Sequence, residues 1–461
     1  MSHHEALFGT DGIRGIPGKP PLMPETISAV AAICAKLLRA RAPSNGSGAP
    51  KILIARDTRG SGPKLVKTLT AGFASAGCRA IDLGVAPTPA VAYLTPKLKA
   101  LAGVVVSASH NPAQFNGIKF FTSDGLKMDP ATESQVEREL ARGRRAPAKP
   151  PRGPLALQGG ASQVRGYIDF LRSTFPATLD LSGMRLVVDC AQGAAYGIAP
   201  ALFRALGAEV FALGCSPDGR NINSGCGALF PAAMQKAVLR HRAHAGICFD
   251  GDADRCLFAD EKGALIDGDA LICLSAMYLK RQGLLLGDKV VLTVMSNYGC
   301  LKYLESHGVS VVSVPVGDRN VTEAIEKEGL SIGGEASGHI IFREFAATGD
   351  GMLTALQTLA AVRAQGLPLS AHRKSFRATP QIIKNVKVVR KPPLQGLPRT
   401  KALIERCARG LGGGGRVFVR YSGTEPLLRI MVEGPSLPAI SRMARELATG
   451  YLLETGQEVF K

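Results

Sequence analysis

The stretch KILIARDTRGSGPKLVKTLTAGFASAGCRAIDL (51–83) decides the fold. KILIAR (51–56) is short, β-branched and bounded by turn residues, so it reads as a buried strand. A helix-like run follows over Lys64–Ala76 and closes on Gly77, where a C′ residue in left-handed geometry belongs. Arg79–Leu83 is then a second strand. Strand, helix, strand at this spacing requires parallel pairing with a right-handed crossover. The theme recurs in RLVVDC (185–190), Ile198–Leu206 with Gly207, and Glu209–Leu213. It recurs again in KVVLTV (289–294), Gly299–Ser306 with Gly308, and Val309–Val314.

A third strand ends each repeat: Gly103–Val106, Gly246–Phe249 and Leu330–Gly333. Beyond them lie the polar loops SASHNP, DGDADR and GEASGH. Ligands of open α/β sheets gather beyond the carboxyl ends of strands, so the three loops are expected to face one cleft. The last segment reads strand (Gln381–Val389), helix (Thr400–Arg409), paired strands (Arg416–Tyr421 and Leu427–Glu433) and helix (Leu437–Leu452). The fold class predicted is α/β. It has three similar mixed α/β domains over 1–160, 161–260 and 261–375, plus a smaller C-terminal α+β domain over 376–461, around a central cleft. Arg142–Gly160, rich in Pro, Arg, Ala and Gly, reads as a surface connection, and Asp260–Asp267 as the link between the second and third repeats.

The length of 461 residues fits several domains, because single cores stop growing near ~250–300 residues. A net charge of +19 favours anionic partners, either phosphorylated metabolites or nucleic acid. Aromatic content of 5% with no Trp supplies base-stacking poorly, and the basic runs at Arg142–Arg145 and Arg390–Lys391 read as solvated linkers. Nucleic acid is therefore not expected. Ten scattered cysteines without a CxxC pair fit reduced thiols. The N-terminus has no secretory pattern and no window has the ~18 apolar residues of a membrane span, so a cytoplasmic location is expected.

Four segments carry chemistry. In VVVSASHNPAQFNGIK (104–119), a β-branched run stops at Ser109-His110 before an Asn-Pro turn, with the cation Lys119 beyond. Serine is a weak nucleophile unless activated or pre-charged, so this stretch by itself is either a plain loop or an active site. Asp250, Asp252 and Asp254 alternate after a strand and can converge on one Mg²⁺ ion. Arg255 stands where an EF-hand needs glycine. Glu335, Ser337 and His339 offer the donors and acceptors that sugar hydroxyls need. Arg420-Tyr-Ser422-Gly423-Thr424, with Arg429, combines guanidinium groups, hydroxyls and a turn suited to an oxyanion. The glycine-rich FGTDGIRG (8–15) adds Arg14.

In this order the motifs closely resemble the α-D-phosphohexomutase superfamily over essentially the whole chain. FGTDGIRG, VVDCAQGAAYGIAP (187–200), GCSPDGRNIN (214–223) and VGDRNV (316–321) look most like its bacterial phosphoglucosamine mutase branch. The resemblance implies an isomerase that interconverts glucosamine 6-phosphate and glucosamine 1-phosphate, on the route to UDP-N-acetylglucosamine. Ser109 would carry the phosphoryl group through a bisphosphate intermediate, with a sugar 1,6-bisphosphate as activator. Asp250, Asp252, Asp254 and a phosphoserine oxygen on Ser109 would hold one Mg²⁺. Arg14, Lys119 and Arg255 would line the reaction centre, and His110 or Lys119 would move the hydroxyl proton. Glu335, Ser337 and His339 would meet the sugar and Arg319 would help select its orientation. Arg420, Ser422, Gly423, Thr424 and Arg429 would clamp the phosphate that does not react. The partner is a phosphosugar, with neither nucleic acid nor membrane; a homodimer is left open.

Three positions depart from the family's pattern. Ala253 replaces a usual glycine, which matters only where φ is positive. Ala336 replaces the asparagine common in the glucosamine branch, and Ser107 a common threonine. The loss of a polar group at Ala336 keeps a phosphomannomutase/phosphoglucomutase as the alternative. Readings outside the family are a Mg²⁺-dependent phosphatase and a nucleic-acid-binding protein.

Overall fold

The computed structural model describes residues 7–9, 11–41, 48–143, 158–375, 377–422 and 426–457. Residues 144–157 of the expected surface connection lie outside them. The chain forms two compact units, one of residues 1–295 and 310–374, the other of 296–309 and 375–461.

The first unit contains three sheets. Strands β1 (Ile13–Gly15), β2 (Lys51–Arg56), β3 (Arg79–Val85), β4 (Ala102–Val106), β5 (Asn116–Phe121) and β6 (Gln158–Gly159) make the first, in the order β1-β5-β4-β2-β3-β6. Strands β7 (Arg185–Asp189), β8 (Glu209–Leu213), β9 (Ala245–Phe249), β10 (Cys256–Asp260) and β11 (Leu265–Ile266) make the second, ordered β11-β10-β9-β7-β8. Strands β12 (Lys289–Thr293), β13 (Ser310–Val314), β14 (Ile332–Gly334) and β15 (Ile340–Phe342) make the third, ordered β13-β12-β14-β15.

Within each sheet the first strand of the repeat pairs in parallel with the second and third. The sequence repeat is therefore real at the level of strand pairing. Gly77, Gly207 and Gly308 all take positive φ, the conformation that lets each helix stop where the next strand must start.

Two features differ from the sequence reading. Each third strand turns back into an antiparallel fourth strand, β5, β10 or β15, so the three polar loops are hairpin connections. Lys119 consequently sits within β5. The expected link over 260–267 is mostly a hairpin instead: Phe258 and Ala259 pair with Ile266 and Leu265. Leu257, Ala259 and Ile266 are buried, so this segment extends the second sheet, and Asp267 then caps the next helix.

The second unit has a three-stranded antiparallel sheet of β16 (Gln381–Lys387), β17 (Arg416–Tyr421) and β18 (Leu427–Glu433), with β18 central. Helices Pro398–Gly410 and Leu437–Thr455 pack on it through Cys407, Ile440, Ala444 and Tyr451. The crossover helix of the third repeat, Tyr298–Ser306, belongs to this unit. Polar pairing fixes it there: Glu433 accepts from Tyr298 N and Gln381 Nε2 at 3.0 Å each, while Asn297 accepts from Thr379 N and donates to Thr379 O. Among the described residues no helix is long and apolar enough to cross a membrane.

Candidate active site

Ser109 leaves the end of β4 in a left-handed turn, at φ +51°. A non-glycine residue in that region costs on the order of 1–3 kcal/mol, which surrounding contacts must offset. Here Ser107 Oγ accepts the Ser109 N–H at 2.9 Å and donates to Asp57 at 2.6 Å. The turn aims Ser109 Oγ at Asp250, to which it donates at 2.6 Å. His110 Nδ1 stands 3.4 Å from the same hydroxyl.

Asp250, Asp252 and Asp254 converge because they share the hairpin between β9 and β10. One carboxylate oxygen from each lies within 4.8 Å of the others, and all three residues are buried. Asp252 Oδ1 and Asp254 Oδ1 have no hydrogen-bond partner. Buried, unpartnered carboxylate oxygens aimed at one point suit a hard divalent cation. Burial, then the charges of Asp254 and Asp252, push the Asp250 carboxyl well above its usual range. Burial works the same way on Asp252, but Lys119 and the Thr88 hydroxyl outweigh it and hold this carboxyl low.

Ala253 has φ +57° and is completely buried. The departure from glycine thus falls at a position that needs positive φ, at a cost of roughly 1 kcal/mol. Two backbone bonds hold it: Ala253 N–H donates to Asp250 O and Gly351 N–H donates to Ala253 O.

The cations around the triad have different surroundings. Lys119 Nζ lies 2.9 Å from Asp252, 3.0 Å from Asp11 and 3.5 Å from Asp254. Burial alone would lower its pKa, yet Asp11, Asp252 and Asp254 raise it well above the usual value, so it stays an ammonium. Burial, with Arg255 and Arg14, lowers His110 to about 4, so its imidazole is neutral at pH 7. Arg14 pairs with Asp11 and reaches Asn111 Oδ1 at 3.5 Å; Arg255 Nε is 3.8 Å from Asp254.

In the third hairpin, Glu335 accepts from Gly317 N at 3.0 Å and from Ser337 Oγ at 3.2 Å. Gly338 is at φ +88°, and a Cβ there would lie 2.2 Å from Cys256 O, so only glycine fits this turn. His339 is buried with both ring nitrogens lacking hydrogen-bond partners, 3.9 Å from Asp318. Arg319 is held by Glu133 at 3.0 Å and Met128 O at 2.9 Å.

In the second unit, Arg420 and Arg429 are directly opposed in the β17–β18 ladder. Burial and the Arg429 charge lower the Arg420 pKa, as expected of a half-buried cation with a like charge directly across the ladder. Ser422 N–H donates to Leu427 O at 2.8 Å. Gly423 and Thr424 lie outside the described residues.

Four residues that the sequence reading passed over belong to this geometry. Asp11 gathers Arg14, Lys119 and Lys127. Thr88 donates to Asp252 at 2.7 Å. Arg59 and Asn223 hold the Ser109 loop from behind. Asp11 and Asn223 carried a sequence signal, their places inside the TDGIRG turn and the GCSPDGRNIN segment; Arg59 and Thr88 carried none.

Comparison with known proteins agrees with this arrangement. Family models for phosphoglucomutase/phosphomannomutase match in chain order: α/β/α domain I over 5–146, domain II over 165–263, domain III over 267–379 and the C-terminal domain over 383–450. A phosphoglucosamine mutase of Symbiobacterium thermophilum is 46% identical, across 96% of this chain and 98% of the relative. One of Bdellovibrio bacteriovorus is 41% identical, across 97% and 98%. Among solved structures, a Burkholderia thailandensis phosphoglucomutase/phosphomannomutase family protein shares the fold at TM-score 0.78 and 22% identity, covering 99% of both chains. An Aspergillus fumigatus N-acetylphosphoglucosamine mutase, solved with GlcNAc-6P and magnesium, superposes at TM-score 0.67 and 18% identity, over 97% of this chain and 95% of the other. With all four domains matched in order and near-complete coverage by relatives above 40% identity, the chain belongs to the phosphoglucomutase/phosphomannomutase family of α-D-phosphohexomutases.

Proposed function

We propose that this chain is a phosphoglucosamine mutase, an isomerase that moves a phosphoryl group between O6 and O1 of glucosamine phosphate. The observation that carries the chemistry is Ser109 Oγ, held in a left-handed turn 2.6 Å from Asp250 in a buried carboxylate triad. The amino-sugar assignment rests on phosphoglucosamine mutase relatives that match this chain over nearly its full length.

Ser109 carries the phosphoryl group and gives it to the free hydroxyl of the bound sugar phosphate. The resulting bisphosphate turns over and returns its other phosphate to Ser109; a sugar 1,6-bisphosphate therefore primes the enzyme. Neutral His110, beside the Ser109 hydroxyl, accepts the proton from the attacking sugar hydroxyl. Lys119 keeps its proton and contributes charge among the carboxylates. Asp250, Asp252 and Asp254 hold one Mg²⁺, which when bound neutralises charge on the transferring group. Arg14 and Arg255 flank the reaction centre. Glu335 and Ser337 meet sugar hydroxyls, with His339 beside them, and Arg319 fixes the loop that carries Gly317 against Glu335. Arg420 and Arg429, with Ser422, Gly423 and Thr424, take the phosphate that does not react. The second domain runs through β11 to Ile266 instead of ending at 260, and the enzyme works in the cytoplasm.

The test is a substrate panel of glucosamine, mannose and glucose phosphates, run beside Ser109→Ala. Glucosamine phosphate should be preferred, and Ser109→Ala should lose both phosphoenzyme and turnover. A clear preference for mannose phosphate overturns the sugar assignment. Wild-type turnover in Ser109→Ala overturns the mechanism.

A further inference from the structure

Arg59 is an arginine with no solvent exposure of its side chain, and it meets Ser109 through the backbone carbonyl, not through the hydroxyl. Burying a guanidinium is costly unless every donor finds a partner. All five of its N–H groups do. Nε donates to Asp57 Oδ2 at 2.8 Å. Nη1 donates to Pro112 O at 2.6 Å and Phe115 O at 3.0 Å. Nη2 donates to Ser109 O at 2.9 Å and Asn111 O at 2.8 Å. Four of the five acceptors are thus backbone carbonyls of the one loop that presents Ser109.

The second sheet's chain grips the same loop. Asn223 Nδ2 donates to Ser109 O at 2.9 Å and to Asn111 O at 3.1 Å, the two carbonyls that Arg59 Nη2 also holds. On the amide side, Ser109 N–H is accepted by Ser107, whose hydroxyl donates to Asp57, the carboxylate paired with Arg59. Both peptide ends of Ser109 therefore lead back to the Asp57–Arg59 pair. The turn carrying that pair is itself fastened to the second sheet's chain, through Gly60 N–H to Gly219 O at 2.9 Å and Thr58 to Gln192 O.

We propose that Arg59 and Asn223 are positioning residues that hold Ser109 in its left-handed conformation and set its hydroxyl against the Asp250 carboxylates. This inference rests on Ser109 being the phosphoryl carrier. Only arginine supplies five donors in a rigid planar fork; a lysine at 59 keeps the charge but has three donors and no fork. Loss of the fork releases the loop carbonyls without touching Glu335, Ser337 or the Asp triad.

The experiment is a single-turnover measurement on Arg59→Lys and Asn223→Ala. Each protein is first phosphorylated with glucose 1,6-bisphosphate and its phosphate per chain measured by intact mass. Transfer from Ser109 to glucosamine 6-phosphate is then timed and expressed per phosphorylated chain, so that a misfolded fraction drops out. In Arg59→Lys the rate should fall about 100-fold, the scale of an ångström misplacement at a reacting atom, while KM stays within about twofold. In Asn223→Ala, which keeps Arg59, a fall of about 10-fold is expected. Wild-type transfer rates per phosphorylated chain in both variants overturn the proposal and leave Arg59 a merely structural residue. Should Arg59→Lys fail to fold, Asn223→Ala decides alone by the same criterion. Wild-type protein that never carries phosphate on Ser109 removes the carrier reading itself; that failure is distinguishable because it appears before any variant is made.

Discussion

Gly251 is the position where one added carbon tests the geometry most directly. It sits between two metal-loop aspartates, and its φ lies outside the left-handed region, so alanine meets no backbone penalty. A Cβ built there would lie 2.6 Å from Ser109 O, 2.9 Å from Ile222 Cδ1 and 3.0 Å from Asn223 Nδ2. Carbon–oxygen contacts settle near ~3.3 Å, so something must move by about 0.7 Å. Gly251 is itself held: Ala194 N–H binds its carbonyl at 2.8 Å, and Gly193 packs so near that a Cβ on it would come within 2.4 Å of the same oxygen. The Ser109 carbonyl has to give way, and with it the hydroxyl now 2.6 Å from Asp250. A shift of that size at the reacting oxygen should lower kcat of Gly251→Ala by roughly 10- to 100-fold, with a packing cost of about 1–3 kcal/mol. KM should change little, since the Glu335 loop is not involved. Gly197→Ala is the control, because a Cβ there meets nothing within 4 Å at an ordinary φ. The assay is steady-state turnover per phosphorylated chain for both variants. Wild-type kcat in Gly251→Ala, with Ser109→Ala inactive, would refute the claim that this backbone contact sets the serine.

Two further outcomes follow from the buried charges. Mg²⁺ should raise the thermal midpoint of the metal-free protein, by the equivalent of about 2.7 kcal/mol at a hundred times its Kd, and Asp254→Asn should lose most of that shift; an equal shift in the variant removes Asp254 from the site. Asp350 caps the helix Gly351–Gln365 and accepts from Tyr167 Oη at 2.8 Å, while burial raises its carboxyl to about 6. Because its folded pKa lies above the unfolded one, its stabilising contribution is complete below about pH 4 and lost as pH rises through about 6, amounting to roughly 3 kcal/mol. Asp350→Asn, which keeps the cap, should therefore be more stable than wild type at pH 7, with the difference shrinking toward pH 4.5 in urea unfolding. A pH-independent difference would count against the raised pKa.

The fold was legible where the chain announces it with side-chain chemistry. KILIAR, RLVVDC and KVVLTV are β-branched runs ended by turns, and all three became central parallel strands. The fourth strands escaped notice for a physical reason. CLFAD (256–260) and IIF (340–342) are short and follow tight turns, and NGIKFF (116–121) carries a lysine mid-strand. A lysine in a fully buried strand contradicts the usual pattern, and only the carboxylates of Asp11, Asp252 and Asp254 make Lys119 tolerable there. Those partners come from the turn before β1 and from the β9–β10 hairpin, beyond the reach of any local window. The 260–267 segment was misread for the opposite reason: its Lys and Gly resemble a linker, while Leu265 and Ile266 are too few to register as a strand.

The site divides along the same line. Ser109, the three aspartates and Glu335 could be singled out because each stands in a polar loop after a strand, and the family resemblance then supplied the role expected of each. Arg59 could not, although DTRG (57–60) lies in the very stretch that decides the fold. An arginine in a polar turn reads as solvated, and its acceptors here are main-chain carbonyls of Ser109, Asn111, Pro112 and Phe115. Backbone carbonyls have no letter in a sequence, so a guanidinium that binds four of them leaves no paired residue to search for. The same holds for the carbonyls that Asn223 binds. Groups that act on substrate must expose distinctive side chains, and so can be read. Groups that hold those side chains through the backbone become visible only when the chain is folded, which is why the second kind has to be sought among buried polar residues whose every donor is spent.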